Sequence, residues 1–192
     1  MASKRGLSKS SKRGNTPRIA VVVSRYNATV TDRLRLGAVE ATVRLTGHTP
    51  DIFEVPGAFE LPVVCDAAAC SGRFSGVVAL GCLIRGETIH DRVIADSVAT
   101  AIQDSMLKTG VPIAFGLLTV ENAAQAEARA GGEHGNKGIE AVEALFDTIE
   151  TLSAIRDGRE TKIGRTLPDK LKSVAMPVGG SGGRSGARRR KG

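Results

Sequence analysis

Tryptophan is absent from the 192 residues, tyrosine occurs once and phenylalanine five times. A core built on aromatic rings is excluded, so Val, Ile, Leu and Ala must fill the interior. Cysteine is scarce as well. Cys65, Cys70 and Cys82 are odd in number and lack the paired spacing of a zinc or dithiol motif. A disulfide framework is thereby disfavoured, and a reduced, cytoplasmic chain is expected. No apolar run is long enough to span a bilayer. The basic N-terminus also lacks the apolar stretch of a secretory signal. Neither a Gly-x-Gly-x-x-Gly turn after the first strand nor a phosphate loop ending in Gly-Lys is present.

Positive charge is not scarce, but it is unevenly placed. Of a net +7, residues 1–16 carry +5 and residues 168–192 carry +6, so the stretch between them carries −4. A mildly acidic domain is therefore expected between two basic tails, and any argument for a polyanion partner belongs to the tails. The expected organisation is a disordered tail over 1–16, one α/β domain over 17–157, and an extension over 158–192. That extension ends in a Gly/Ser-rich linker and Arg188-Arg-Arg-Lys191.

The domain is organised around Gly76–Asp91. Gly-Val-Val-Ala-Leu-Gly-Cys-Leu-Ile reads as a strand buried on both faces. After Arg85-Gly86-Glu87-Thr88 the pattern turns helical, with Ile94, Val98 and Ile102 four apart. A helix starting there points free N–H groups toward the strand's carboxyl end, where open α/β sheets bind ligands. Gly86 and Thr88 suit an anion, and His90 sets a proton-carrying side chain beside it. A cap and a structural histidine are the plainer alternatives.

Other strand ends carry similar features. Strand 18–24 leads into Tyr26-Asn27, and the single tyrosine is either a stacking platform or a packing residue. The following helix is expected to be capped by Thr29 or Thr31, to bury Leu36, Val39 and Val43, and to stop at Gly47. Strand 51–55 precedes Pro56-Gly57 and a helix from Ala58 to about Cys70, with Pro62 in its first turn. Gly57 and Ala58 are read as offering bare N–H groups. A helix over about 90–109 closes at Gly110. A strand over 111–119, a short helix across 121–130, a loop at 131–135 and a long helix from Asn136 complete the domain. Alternating strands and helices give a parallel sheet with right-handed crossovers.

Six stretches together carry a resemblance. They are Ser24-Arg-Tyr-Asn27, Val55-Pro-Gly-Ala-Phe-Glu-Leu-Pro62, Gly81-Cys-Leu-Ile-Arg-Gly-Glu-Thr-Ile-His90, Phe115-Gly-Leu-Leu-Thr119, Gln125-Ala-Glu-Ala-Arg-Ala-Gly131 and Gly135-Asn-Lys-Gly138. In this order and spacing, over residues 17 to about 150, the chain resembles the lumazine synthases of riboflavin biosynthesis. The resemblance implies a flavodoxin-like three-layer α/β sandwich with a four-stranded parallel sheet. The implied reaction joins 5-amino-6-(ribitylamino)uracil to 3,4-dihydroxy-2-butanone 4-phosphate, giving 6,7-dimethyl-8-ribityllumazine, phosphate and water. It needs neither a metal nor a redox cofactor.

Residue roles carry over by position. Tyr26, where the family usually has Phe or Trp, stacks on the pyrimidine. Ala58, Phe59 and Glu60 hold the ribityl chain and flank the ring, and Cys82, Leu83 and Ile84 read it through backbone groups. Glu87 and Thr88 cradle the phosphate, Arg129 pairs with it, and His90 carries protons. Lys137 belongs to the same region. The resemblance also implies a homo-oligomer, a pentamer or a 60-subunit icosahedral shell, with Phe115 and Arg129 supplied by the adjacent chain. Riboflavin synthase is the implied partner enzyme. An inert shell protein and a nucleic-acid binder driven by the tails are the rival readings. The first conflicts with the presence of Tyr26, Thr88, His90 and Arg129, and the second lacks an aromatic platform.

Overall fold

In the computed structural model, the structure describes residues 16–159. The tails read from charge lie, but for their inner ends, outside the described residues. The first strand, β1 (Ile19–Ser24), is buried along its whole length, as its unbroken Val-Val-Val run requires. It leads into α1 (Ala28–Thr46), β2 (Asp51–Val55), a 3₁₀ turn (Ala58–Glu60) and α2 (Leu61–Cys70). Then follow β3 (Gly76–Ile84), α3 (His90–Thr109), β4 (Ile113–Val120), α4 (Ala123–Arg129), the short β5 (Ala130–Gly132) and β6 (Gly135–Asn136), and α5 (Lys137–Arg156).

The four long strands form one parallel sheet in the order β2-β1-β3-β4. One face, through Val21, Val23, Val78, Leu80 and Leu118, packs against Leu34, Ala38, Val142 and Leu145 of α1 and α5. The other, through Ala20, Val22, Val77, Ala79 and Leu117, packs against Leu61, Cys65, Val98 and Ile102 of α2 and α3. These are the three layers expected, with the aliphatic interior that the shortage of aromatics demanded. All four strands end at one edge of the sheet. The segments that follow β1, β2 and β3 there position the site.

Local structure departs from expectation in several places. Thr29 and Thr31 lie inside α1, and Asn27 takes the cap position in left-handed conformation. The face of α1 turned inward is Val30, Leu34, Gly37, Ala38 and Ala41, whereas Leu36 and Val43 are exposed. Both stripes have helical spacing, and the small-residue stripe wins because α5 approaches closely there. A β-carbon on Gly138 of α5 would overlap the Leu34 carbonyl. Asn136, which caps α5 by accepting from Gly138 N at 2.8 Å, donates to Arg33 O at 2.9 Å. The expected loop at 131–135 is instead the turn of an antiparallel β5–β6 hairpin. The helix expected from Ala58 begins with the 3₁₀ turn, and Pro62 occupies the first turn of α2. Helices α1 and α3 stop at Gly47 and Gly110 as expected, each at positive φ.

Candidate active site

The carboxyl ends of β1, β2 and β3 surround a cleft of about 450 Å³. Tyr26 and Asn27, in the turn after β1, form one wall. Gly57, Ala58, Phe59 and Glu60, which follow β2, form another wall, and Cys82, Leu83 and Ile84, at the end of β3, line the cleft as well. Gly86, Thr88 and His90 line the part of the cleft beyond the end of β3. Tyr26 is 73% exposed and Phe59 62%. Two rings left this open on a single chain are spare apolar surface, in a molecule with few aromatics to spend.

The Gly57–Glu60 wall is internally braced. Gly57 N donates to Glu60 Oε2 at 2.9 Å, so that N–H is not bare as the sequence suggested. The bond occupies one carboxylate oxygen and holds the 3₁₀ turn closed at the cleft. Beyond β3, the Thr88 hydroxyl accepts from His90 N at 3.4 Å, a long contact at the first residue of α3. A β-carbon on Gly86 would meet nothing within 4 Å, so the backbone there is open to approach. The Arg85 guanidinium is committed elsewhere. It donates to Glu121 Oε2 at 2.7 Å, and that bond together with the carboxylate charge raises its pKa above the usual arginine value.

Burial pushes the Cys82 thiol up to about 11 and the Cys65 thiol up to about 12. Both stay protonated near neutrality, which removes Cys82 as a nucleophile although it lines the cleft. What the cleft offers is stacking surface, backbone hydrogen-bonding groups, the carboxylates of Glu60 and Asp91, the Asn27 amide, the Thr88 hydroxyl and the His90 imidazole. That set suits holding a flat polar heterocycle beside an anion, with a proton carrier between them.

Of the residues singled out from sequence, Tyr26, Ala58, Phe59, Glu60, Cys82, Leu83, Ile84, Thr88 and His90 meet in this cleft. Glu87 is exposed and does not line it. Phe115 and Lys137 border a different depression of about 280 Å³, between α3 and α5 at the outer edge of β4. The two depressions share no lining residue. Lys137 is ion-paired with Glu140. Arg129, in the last turn of α4, makes a 3.5 Å contact with the Gln125 carbonyl and has no carboxylate partner among the described residues. Asn27, Asp91 and Ile94 line the cleft without having been chosen from sequence. The signal for Asn27 was its residue type in a strand-to-helix turn, and for Asp91 its place in the first turn of α3.

A model of the 6,7-dimethyl-8-ribityllumazine synthase family matches residues 16–153. The chain belongs to that family. It is 43% identical over 143 residues to 6,7-dimethyl-8-ribityllumazine synthase 1 of Caulobacter vibrioides, covering 73% of this chain and 94% of the relative. It is 40% identical over 148 residues to the synthase of Xanthomonas euvesicatoria pv. vesicatoria, covering 74% and 94%. Against that of Desulfovibrio desulfuricans it is 40% identical over 140 residues, covering 72% and 90%. The lumazine synthase match thus takes in every element from β1 nearly to the end of α5, and with them the whole cleft.

Proposed function

We propose that the chain condenses 5-amino-6-(ribitylamino)uracil with 3,4-dihydroxy-2-butanone 4-phosphate to give 6,7-dimethyl-8-ribityllumazine, phosphate and water. The observation that carries this reading is the meeting of Tyr26, the Cys82–Ile84 strand end, and Thr88 with His90 in one cleft of a lumazine synthase family member. The flat pyrimidine stacks on Tyr26 and pairs with backbone groups of Cys82–Ile84. Its ribityl hydroxyls reach Ala58–Glu60, where the carboxylate accepts hydrogen bonds. The phosphate rests at the start of α3 against Thr88, with Glu87 beside it.

The chemistry then asks for little beyond placement. The 5-amino group attacks the ketone and one water leaves to form an imine. Loss of a carbon proton then expels phosphate, the enol left behind becomes a ketone, and the ribitylamino nitrogen attacks that ketone, closing the ring as a second water leaves. His90 hands protons to the leaving oxygens and takes them from carbon. Positioning supplies much of the rate, because an amine and a ketone already held together react readily. Incubating the protein with both substrates tests the reading. Lumazine fluorescence appearing together with inorganic phosphate is the expected result. Fluorescence no faster than in protein-free buffer contradicts it.

The site in this reading is completed by a second copy, which supplies Phe115 and Arg129. Their position outside the cleft of their own chain supports that, as does the lack of a carboxylate partner for Arg129 among the described residues. A pentamer is the proposed assembly, with a 60-subunit shell as its closed form, acting in the cytoplasm and passing its product to riboflavin synthase. Among the described residues no helix is long and apolar enough to cross a membrane.

The basic tails are proposed to add a weak, salt-sensitive contact with RNA or another polyanion, which charge alone supports. Tails repeated on one particle act together through effective concentration. Nucleic acid co-purified at low salt should fall in a chain ended at Pro177. Equal amounts in both chains contradict this.

A further inference from the structure

β3 outruns its neighbour. The register with β1 ends at Val23 opposite Leu80, while β3 continues to Ile84. The N–H groups of Val77 and Arg85 both point to the β4 side, where they bond the Pro112 and Val120 carbonyls. Alternation along the strand turns the backbone groups of Cys82 and Ile84 the other way, and since β1 ends at Ser24, level with Gly81, the Cys82 carbonyl and the N–H and C=O of Ile84 face space beyond it. This free edge lines the cleft.

Asn27 reaches into that space. Its Nδ2 donates to the Cys82 carbonyl at 2.9 Å, a partly buried bond between residues 55 apart in sequence. Asn27 is also the one non-glycine residue at positive φ among the described residues, with φ 59° and ψ 46°. Asparagine accepts that conformation more readily than most residues. At the start of a helix its side chain ordinarily accepts an N–H from the first turn. Here it makes no such bond. The start of α1 is held through the Asn27 carbonyl, which accepts from Val30 N at 2.9 Å, Thr31 N at 3.0 Å and the Thr31 hydroxyl at 3.4 Å. The amide forgoes the local bond and ties the β1–α1 turn to the edge of β3.

We propose that Asn27 is a positioning residue of the heterocycle subsite. Its amide pins the turn carrying Tyr26 to the free edge of β3, and so fixes the gap in which a flat ring stacks and pairs. Asn27 also occupies the Cys82 carbonyl with a protein donor. The N–H and C=O of Ile84 remain as the donor–acceptor pair that meets the imide edge of a pyrimidinedione. This rests on the lumazine synthase reading of the cleft.

Two variants separate the bond from the backbone. Asn27→Gly keeps the left-handed turn, which glycine adopts freely, and removes the amide. Asn27→Asp keeps size and shape but sets a carboxylate, which donates nothing, against the carbonyl. The assembled proteins are titrated calorimetrically with 5-amino-6-(ribitylamino)uracil alone and with 3,4-dihydroxy-2-butanone 4-phosphate alone, and their thermal midpoints are compared. Loss of one hydrogen bond predicts about three- to ten-fold weaker pyrimidine binding in Asn27→Gly. Asn27→Asp should lose at least as much. Phosphate-substrate binding and the thermal midpoint should stay near wild type.

Unchanged pyrimidine affinity in either variant overturns the proposal. So do equal losses for both substrates, or a loss that only follows a lowered midpoint, since each reports general structure rather than the ring's gap. A wild-type chain that binds neither substrate and forms no lumazine overturns the reading of the cleft and this proposal with it. Wild-type activity with the wrong variant pattern overturns the role of Asn27 alone.

Discussion

Arg129 ends α4 with its guanidinium held by a single 3.5 Å contact to a carbonyl four residues earlier. Its nearest contrast is Arg85, whose charge is spent on Glu121. An arginine in the first state is free to take a phosphate, and its planar fork suits two phosphate oxygens at once. Arg129→Ala should weaken the phosphate substrate by about ten- to a hundred-fold, the range for a charged hydrogen bond, with little change for the pyrimidine. Arg129→Lys should recover only part, because a point charge does not replace the fork. Separate Michaelis constants for the two substrates decide this. Equal effects of the alanine change on both contradict a phosphate role.

Among the elements, α1 and α5 approach closely at two glycines. Gly138 faces the Leu34 carbonyl, and Asn136 lies over Gly37, where a β-carbon would come within 2.6 Å of its side chain. The Gly135-Asn-Lys-Gly138 stretch is thus as much a helix-packing device as a site motif. Gly138→Ala should cost about 1–3 kcal/mol by overpacking, read as a lower denaturant midpoint at unchanged slope. A midpoint equal to wild type contradicts the packing account.

The same elements explain what was legible beforehand. Strand β1 is rich in β-branched residues and β3 is an almost unbroken apolar run, which is how strands buried on both faces of a parallel sheet read, and α3 is bracketed by polar Arg85–Thr88 and by Gly110. The inward face of α1 was not legible. Leu36-Val39-Val43 outscores Gly37-Ala38-Ala41 in hydrophobicity, and only the approach of α5 makes the smaller residues the better fit. The cleft residues at strand ends were legible from local pattern and from resemblance. Asn27 was not, because its bond depends on β3 running past the end of β1.

At the scale of the whole molecule, a single chain leaves much undone. Leu36, Val63 and Leu107 are 64%, 67% and 76% exposed, apolar surface on α1, α2 and α3 that a lone chain does not cover. Phe115 and Arg129 stand away from the cleft that the proposed chemistry asks them to serve. The proposed head-to-tail ring would bring such surfaces together, each copy lending one to its neighbour's cleft.

The central claim is that each site joins the cleft of one copy to the arginine of the next. Its most direct test is complementation. One parent is Arg129→Ala. The other is Tyr26→Ala/His90→Ala, which disables the cleft through two exposed side chains and leaves the fold alone. The two are unfolded together, reassembled in equal amounts, and assayed for lumazine formation with the phosphate substrate well below its wild-type Michaelis constant, where the Arg129→Ala parent is nearly silent. Random mixing around a head-to-tail ring makes about a quarter of the sites intact, so activity should rise to about a quarter of wild type, well above either parent. Activity that stays at the mean of the two parents would show that cleft and arginine act within one chain, or not together at all.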